Sequence, residues 1–128
     1  MKHMNKKKIA LVDDSSPFCL LVKQIFEDRY EVDSYTSAED FVSLVSRAAS
    51  YHLIILDLHL PGMDGMDALT RLQSTPATQD IPILLLTADS RKDTVIRGMR
   101  LGAKDYMVKP IDPMQLDERV SLLLSDII

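Results

Sequence analysis

The chain has 128 residues, of which 46% are hydrophobic and 27% are charged, a balance typical of one globular domain that buries its own core. Its formal net charge of -4 argues against a protein whose main role is to bind nucleic acid through the phosphates. No apolar stretch approaches the roughly 20 residues that span a bilayer. The single cysteine, Cys19, excludes an intrachain disulfide, which fits a location in the reducing cytoplasm.

The first residues are expected to lie outside the fold. Residues 1–5 contain a second methionine, Met4, and are interpreted as a tag or a disordered lead-in, so that the domain comprises residues 6–128. The basic cluster from Lys6 to Lys8 is interpreted as a solvated approach to the first strand. Cys19, with apolar neighbours, is expected to be a small buried thiol.

The first strand and helix follow directly. Ile9 to Val12 is a continuous apolar run and predicts a strand that is buried on both faces. Ser15 and Ser16 before Pro17 are typical of a helix start. Apolar residues then recur at helical spacing: Phe18, Leu21, Val22, Ile25 and Phe26.

The next unit has the same organisation with a weaker strand signal. Glu31 to Tyr35 alternates in polarity and predicts an edge strand. Ser37, three residues before Asp40, predicts the start of a second helix. Its apolar stripe is predicted to consist of Phe41, Leu44, Val45 and Ala48.

The middle of the chain repeats the alternation twice. Leu53 to Leu56 and Ile83 to Leu86 predict buried strands, each followed by a helical segment. The loop from Leu60 to Gly65 is set by proline and glycine, and the helix after it has an apolar stripe of Met66, Leu69 and Leu72. The second segment, Ser90 to Leu101, is predicted to be helical and to end at a left-handed Gly102.

The last unit is a strand from Asp105 to Val108, followed by a helix that starts at Pro113. The helix carries its own apolar stripe: Leu116, Val120, Leu123, Leu124 and Ile127. The chain is therefore predicted to be an α/β protein with five successive strand-helix units.

Strict alternation of strands and helices leaves few architectures. Crossovers between parallel strands are right-handed, and helices must cover both faces of the sheet. An eight-stranded barrel needs about twice this length. The remaining fold is a doubly wound, five-stranded parallel sheet with strand order 2-1-3-4-5, whose ligands bind where the strand order reverses, between strands 1 and 3.

Polar residues follow four of the predicted strands and should share one crevice. They are Asp13, Asp14, Asp57, Thr87 and Lys109. Three carboxylates repel one another at neutral pH, so a hard cation with oxygen ligands, Mg²⁺ or Mn²⁺, is the expected cofactor.

Each residue of the crevice also has an ordinary structural explanation. Asp13 and Asp14 could cap a helix, although Ser15 and Ser16 already supply caps. Thr87 could simply end a strand, and Lys109 could be a solvated charge. Asp57 is harder to explain in this way because four apolar residues precede it, and as a carboxylate nucleophile it could accept a phosphoryl group.

The motifs at the strand ends resemble one family along most of the chain, from Lys8 to Leu124. They are Val12-Asp13-Asp14, the segment Asp57 to Gly65, Thr87-Ala88, and the segment Gly102 to Pro110. Together, in this order, they resemble the receiver domain of two-component response regulators, the family of chemotaxis-Y-like proteins with a flavodoxin-like fold.

The resemblance implies that Asp57 accepts phosphate from a sensor histidine kinase or a phosphotransfer protein. It implies that the metal is bound by Asp14, Asp57 and the backbone carbonyl of His59, with Asp13 acting mainly through water. It also implies a switch in which Thr87 moves toward the phosphoryl group and Tyr106 becomes buried.

Three further residues acquire roles from the same resemblance. His59 and Asp89, each two residues past a site residue, are expected to tune the lifetime of the phosphate. The Lys109-Pro110 peptide bond is expected to be cis.

The partners implied are the kinase and a downstream protein or output domain, which would bind the face made by helix 4, strand 5 and helix 5. A phosphorylation-dependent homodimer through this face is plausible, and neither nucleic acid nor a membrane is expected to bind directly. The protein is expected to be a signalling protein whose only catalysis is its own phosphotransfer and dephosphorylation.

Two other functional classes stay open. One is a phosphatase or phosphotransferase with an aspartate nucleophile, which commonly has a second acid where His59 stands. The other is a receiver-like interaction module that no longer accepts phosphate. The sequence does not decide whether the chain acts alone or is part of a longer regulator.

Overall fold

A computed structural model of the chain describes residues 6–45 and 50–125. The predictions for residues 1–5, for Ala48 and for Ile127 lie outside these residues. The strands are β1 (Lys7–Val12), β2 (Tyr30–Tyr35), β3 (Leu53–Asp57), β4 (Ile83–Thr87) and β5 (Asp105–Val108). The helices are α1 (Ser16–Phe26), α2 (Ala38–Val45), α3 (Gly65–Ser74), α4 (Lys92–Arg100) and α5 (Pro113–Leu123).

The strands form one parallel sheet in the order β2-β1-β3-β4-β5, so the predicted doubly wound α/β fold and its strand order are confirmed. The register brings the carboxyl ends of the inner strands level with one another. Val12 pairs with Leu56, Asp57 with Leu86, and Thr87 with Val108. The residues that follow these positions therefore meet at one edge of the sheet.

Helices cover both faces of the sheet, which is why the inner strands are buried throughout. On one face, α1 and α5 pack with alternate strand residues such as Ile9, Leu11 and Ile55. On the other face, α2 and α3 pack with the intervening residues, among them Ala10 and Ile54. The two-sided burial explains why these strands appear in the sequence as continuous apolar runs.

Helix starts follow the expected chemistry. The side chain of Ser15 accepts a hydrogen bond from the Phe18 backbone N–H at 3.3 Å, and the N-cap of α1 is followed by proline in the first turn. Gly102 has the predicted left-handed conformation, with a φ of 114°.

Four details differ from the sequence-based expectation. Leu21 and Leu44 are 38% and 53% exposed, because the buried residues of α1 and α2 are the neighbours that face the sheet. Helix α4 begins at Lys92 rather than Ser90, since Arg91 is extended. Lys7 and Lys8 are not a lead-in but pair with β2 as part of β1.

Within the described parts of the chain, every helix is too short or too polar to cross a membrane.

Gly65, the first residue of α3, lies against the backbone of Leu58, the residue after β3. A Cβ at Gly65 would lie 2.5 Å from Leu58 Cα, which only a backbone shift could relieve. We expect Gly65→Ala to lower the free energy of unfolding by about 1–3 kcal/mol, as overpacking usually does. Urea unfolding measures this change.

Gly98 in α4 is the matched control for Gly65. A Cβ at Gly98 would meet the far end of the Leu85 side chain, at Cδ1, which can rotate away. Alanine also improves helix propensity by about 0.8–1.0 kcal/mol. Gly98→Ala should therefore be much less destabilising than Gly65→Ala, and equal losses would contradict the close approach of Gly65 to Leu58.

Candidate functional site

Three carboxylates lie together where β1 and β3 end. Asp13, Asp14 and Asp57 each offer an oxygen within 4.8 Å of the others. Asp13 is fully buried and Asp57 is 3% exposed, whereas Asp14 is exposed. The sheet register explains this cluster, because the strand order reverses between these two strands.

Lys109 reaches the cluster from the end of β5. Its Nζ donates hydrogen bonds to Asp57 Oδ2 at 2.9 Å and to Asp13 Oδ2 at 3.2 Å. The Lys109 backbone N–H donates to the Thr87 carbonyl at 2.8 Å, which fixes the end of β5 to that of β4. Burial alone would lower the pKa of Lys109, but the hydrogen bond to Asp57 and the charges of Asp13 and Asp57 raise it, so the charged form of the ammonium is favoured.

Burial of Asp13 disfavours the ionised form of its carboxyl group. Burial raises the pKa of Asp13 above its ordinary value, although the hydrogen bond from the Ser15 backbone and the charge of Lys109 oppose this effect. Asp13 Oδ1 accepts the Ser15 N–H at 2.8 Å. The cluster thus holds a carboxylate that further positive charge would stabilise.

Asp57 is held by the turn that follows β3. Its Oδ1 accepts the backbone N–H of His59 at 3.0 Å, and its Oδ2 accepts the ammonium of Lys109. The Leu58 N–H donates to the Leu86 carbonyl at 2.9 Å, so this turn stays attached to β4. Each oxygen of this nearly buried carboxylate is therefore held by one donor.

The hydroxyl of Thr87 is bonded away from Asp57 in this structure. Thr87 Oγ1 accepts the Asp89 backbone N–H at 2.9 Å and lies 3.2 Å from His59 Nε2. It also donates to the Asp89 carbonyl at 3.3 Å. His59 and Asp89 are thus both in direct contact with Thr87.

The carboxylate of Asp89 organises the loop between β4 and α4. Asp89 Oδ1 accepts both the backbone N–H and Nε of Arg91 at 2.9 Å. Asp89 Oδ2 accepts Arg91 Nη2 at 2.7 Å and Thr94 Oγ1 at 2.8 Å. These bonds connect the loop to the first turn of α4, whose N-cap residue, Arg91, makes no side-chain cap hydrogen bond.

The titration of Asp89 tests this network. The hydrogen bonds from Arg91, followed by that from Thr94, hold the pKa of Asp89 well below its usual range. The ionised form is therefore stabilised in the fold, and this stabilisation exists above the unfolded pKa and is lost as the pH falls. In Arg91→Ala we expect the pKa of Asp89 to return upward, measured from its carboxyl ¹³C shift between about pH 7 and about pH 2.

Arg100→Ala, an exposed change in the same helix, is the control and should leave the Asp89 titration unchanged. If the titration curve of Asp89 were the same in wild type and in Arg91→Ala, it would contradict the role of the Arg91 hydrogen bonds in stabilising ionised Asp89.

A cavity of about 320 Å³ opens beside His59 and Asp89. Asp64, Arg91 and Arg97 also line it. The two residues expected to flank the mouth of the crevice therefore share one opening on the α4 side.

Tyr106 is 36% exposed on β5. The Tyr106 carbonyl accepts Arg119 Nη1 at 3.1 Å, and the same nitrogen bonds both oxygens of Asp105 at 2.9 Å. The backbone of β5 is thus attached to α5 while the Tyr106 ring stays accessible.

The Lys109-Pro110 peptide bond is cis, as expected from the sequence. The structure thus brings the five strand-end residues together in one crevice, with His59, Asp89 and the cis bond beside them.

Two contacts were not anticipated from the sequence. Arg91 follows Asp89 by two residues, a spacing at which an aspartate commonly bonds the backbone and which could have indicated the pair. The sequence predicts Phe18 only as part of the apolar stripe of α1, yet its ring centroid lies 5.8 Å from Lys109 Nζ. No pattern in the sequence indicates that contact, because the two residues are distant in the chain.

The arrangement suits oxygen-ligand chemistry. Three carboxylates and one ammonium leave two negative charges, which a divalent cation would balance, and all the side-chain ligands offered are oxygens. A carboxylate with a cation on one side can also act as a nucleophile toward phosphorus. Binding of a hard metal and phosphoryl transfer are therefore the chemistry that this crevice can support.

Comparison with known proteins identifies the family of the chain. The model of the family described as response regulator receiver domain matches residues 9–121. The chain is 33% identical over 125 residues to the transcriptional regulatory protein ResD of Bacillus subtilis, covering 97% of this chain and 50% of ResD. It is 35% identical over 119 residues to the phosphate regulon transcriptional regulatory protein PhoB of Rhizobium meliloti, covering 91% of this chain and 52% of PhoB.

Solved structures agree with the fold. The chemotaxis protein CheY4 of Vibrio cholerae has a TM-score of 0.85 at 26% identity, over 94% of this chain and 100% of that chain. The BeF3-activated receiver domain of DrrB, from Thermotoga maritima, has a TM-score of 0.83 at 29% identity, over 94% of this chain and 98% of that chain.

The chain spans about half the length of the curated relatives named above. The family match covers most of the chain, and receiver domains of response regulators are signalling modules of two-component systems. The chain belongs to the response regulator receiver domain family.

Proposed function

We propose that this protein accepts a phosphoryl group on Asp57 from the phosphohistidine of a sensor histidine kinase or a phosphotransfer protein. The observation that supports this most is the pair of hydrogen bonds from Lys109 Nζ to Asp57 and Asp13 inside a nearly buried acidic crevice. We propose that the receiver domain comprises residues 6–128 and that residues 1–5 are a tag or lead-in.

In the proposed step, a carboxylate oxygen of Asp57 forms a bond to phosphorus while the bond from phosphorus to the donor's imidazole nitrogen breaks. Lys109 lies 2.9 Å from Asp57 Oδ2 and would neutralise charge on the phosphoryl oxygens. The His59 N–H keeps the carboxylate oriented through its bond to Oδ1. Hydrolysis of the acyl phosphate by water would return the protein to its starting state.

The oxygen-rich crevice fits Mg²⁺ or Mn²⁺. Asp14, Asp57 and the backbone carbonyl of His59 would bind the ion directly, and Asp13 would act mainly through a bound water. When bound, the ion would withdraw charge from the phosphoryl oxygens. The residual charge of the carboxylates, after Lys109 is counted, supports a divalent ion.

Thr87 and Tyr106 would form the switch. The phosphoryl group adds about -1.5 to -2 charge and three acceptor oxygens, which would attract the Thr87 hydroxyl away from Asp89. The exposed Tyr106 ring would then turn inward on β5. The contacts of His59 and Asp89 with Thr87 support a role for both in setting how long the phosphate persists.

The changed surface would be the face of α4, β5 and α5, where a downstream protein or output domain would bind. A homodimer through this face is also proposed, and light scattering with and without a phosphate mimic would detect it. We propose that the protein acts in the cytoplasm and makes no direct contact with nucleic acid or a membrane. We also propose that its only enzymatic activity is the domain's own phosphotransfer and dephosphorylation.

Incubation with acetyl phosphate and Mg²⁺, followed by intact-mass spectrometry, tests the proposal. Wild type should gain the mass of one phosphoryl group, and Asp57→Asn should not. No added mass on wild type would favour an interaction module that does not accept phosphate. Rapid turnover of many phosphoesters would favour the aspartate-nucleophile phosphatase instead.

A further inference from the structure

Phe18 occupies the first turn of α1, next to the acidic crevice. Its backbone N–H donates to the Ser15 cap, which fixes where the side chain leaves the helix. The ring is half-buried and packs against the apolar cluster between the sheet and helices α1 and α5. Its position is therefore set by both the helix start and the core.

The face of this ring is directed at the ammonium of Lys109. Lys109 Nζ lies 5.8 Å from the ring centroid, within the range in which the negative face of an aromatic ring attracts a cation. An ammonium has three hydrogens, and Lys109 donates two hydrogen bonds, to Asp57 and Asp13. Among the described residues, the Phe18 ring is the third group in contact with the Lys109 ammonium, after the two carboxylates.

We propose that Phe18 is a positioning residue for phosphoryl transfer, which it serves by holding the ammonium of Lys109 in the crevice through a cation–π contact. This inference rests on the proposed function of Asp57. The two carboxylates attract the ammonium from the strand ends, and the ring attracts it from α1. When Asp57 becomes phosphorylated, the hydrogen bonds from the Lys109 ammonium to the carboxylates would rearrange. The ammonium would keep its contact with the Phe18 ring during this change.

The contact matters because Lys109 is 30% exposed and its long side chain has many alternative rotamers. An ammonium displaced from the crevice would neutralise the charge developing on the phosphoryl oxygens less well. Small displacements at a reacting centre lower the reaction rate substantially. An aliphatic residue would fill the apolar space beside α5 but would offer no negative face. The negative potential of the ring face, and not only the volume of the ring, is thus the property required at position 18.

The sharpest test changes the electrostatics of the ring and preserves its shape. Phenylalanine analogues with one, two and three fluorines, incorporated at position 18, progressively weaken the negative face. We expect the rate of phosphorylation by acetyl phosphate and Mg²⁺ to fall stepwise, by about 2- to 10-fold in total, at unchanged urea stability. The same analogues at Phe41, a fully buried ring that lies against Tyr35, are the matched control and should leave the rate unchanged.

Conventional variants give a second readout. Phe18→Leu should lower the phosphorylation rate by a similar factor. Phe18→Tyr should keep most of the wild-type rate because it keeps an aromatic face. A constant rate across the fluorinated series, or equal decreases at positions 18 and 41, would overturn the inference. Failure of wild type to take up phosphate would instead refute the proposed function, so the two failures are distinguishable.

Discussion

Replacing Lys109 by methionine is expected to slow phosphorylation of Asp57 by about 100- to 1,000-fold, the usual effect of removing one preorganised group that stabilises developing charge. Methionine keeps most of the side-chain volume but cannot donate the bonds that Lys109 Nζ makes to Asp57 and Asp13. The measurement is the rate of mass gain with acetyl phosphate at saturating Mg²⁺.

Lys104→Met is the matched control, since Lys104 is exposed and lies just before β5. Its rate should equal that of wild type. A Lys109→Met protein that is phosphorylated at the wild-type rate would show that the ammonium serves structure and not the reaction.

The second large effect concerns Asp13 and the metal. Because burial raises the pKa of Asp13, ionisation of this side chain lowers the free energy of unfolding, and this loss is complete once the pH lies above the folded-state pKa. Asp13→Asn should therefore raise the free energy of unfolding when no divalent cation is present. Urea unfolding in a chelator measures the gain.

Addition of Mg²⁺ should stabilise wild type more than Asp13→Asn. At a hundredfold excess of Mg²⁺ over its Kd, wild type is expected to gain about 2.7 kcal/mol, and Asp13→Asn should gain less because it has lost a carboxylate of the site. Asp28→Asn, an exposed change in the turn after α1, should behave like wild type. Equal stabilisation of Asp13→Asn and wild type by Mg²⁺ would exclude Asp13 from the metal site.

The parts of the fold that could be predicted are those that burial imposes on the sequence. Leu53–Asp57 and Ile83–Thr87 are covered on both faces, so nearly every position must be apolar until the strand ends. The same constraint makes Asp57 and Thr87 conspicuous, because a polar residue is tolerated only where the strand reaches the crevice. The order of the strands then placed Lys109 with them.

What could not be predicted depends on side-chain geometry across distant segments. Leu44 has the spacing of a core residue, yet it is 53% exposed because the buried face of α2 is centred on Phe41 and Val45. Helix α4 starts late because Asp89 binds Arg91 and Thr94, a local network that competes with the helix. The position of Phe18 beside Lys109 is set by how α1 packs against the sheet, which periodicity alone does not specify.

Identification of the phosphorylated atom tests the central claim most directly. The protein is incubated with acetyl phosphate and Mg²⁺, the acyl phosphate is reduced with borohydride, and the peptides are sequenced by tandem mass spectrometry. The proposed function predicts that reduction converts position 57, and no other, to homoserine. Modification at another carboxylate or at His59, with Asp57 unchanged, would contradict it.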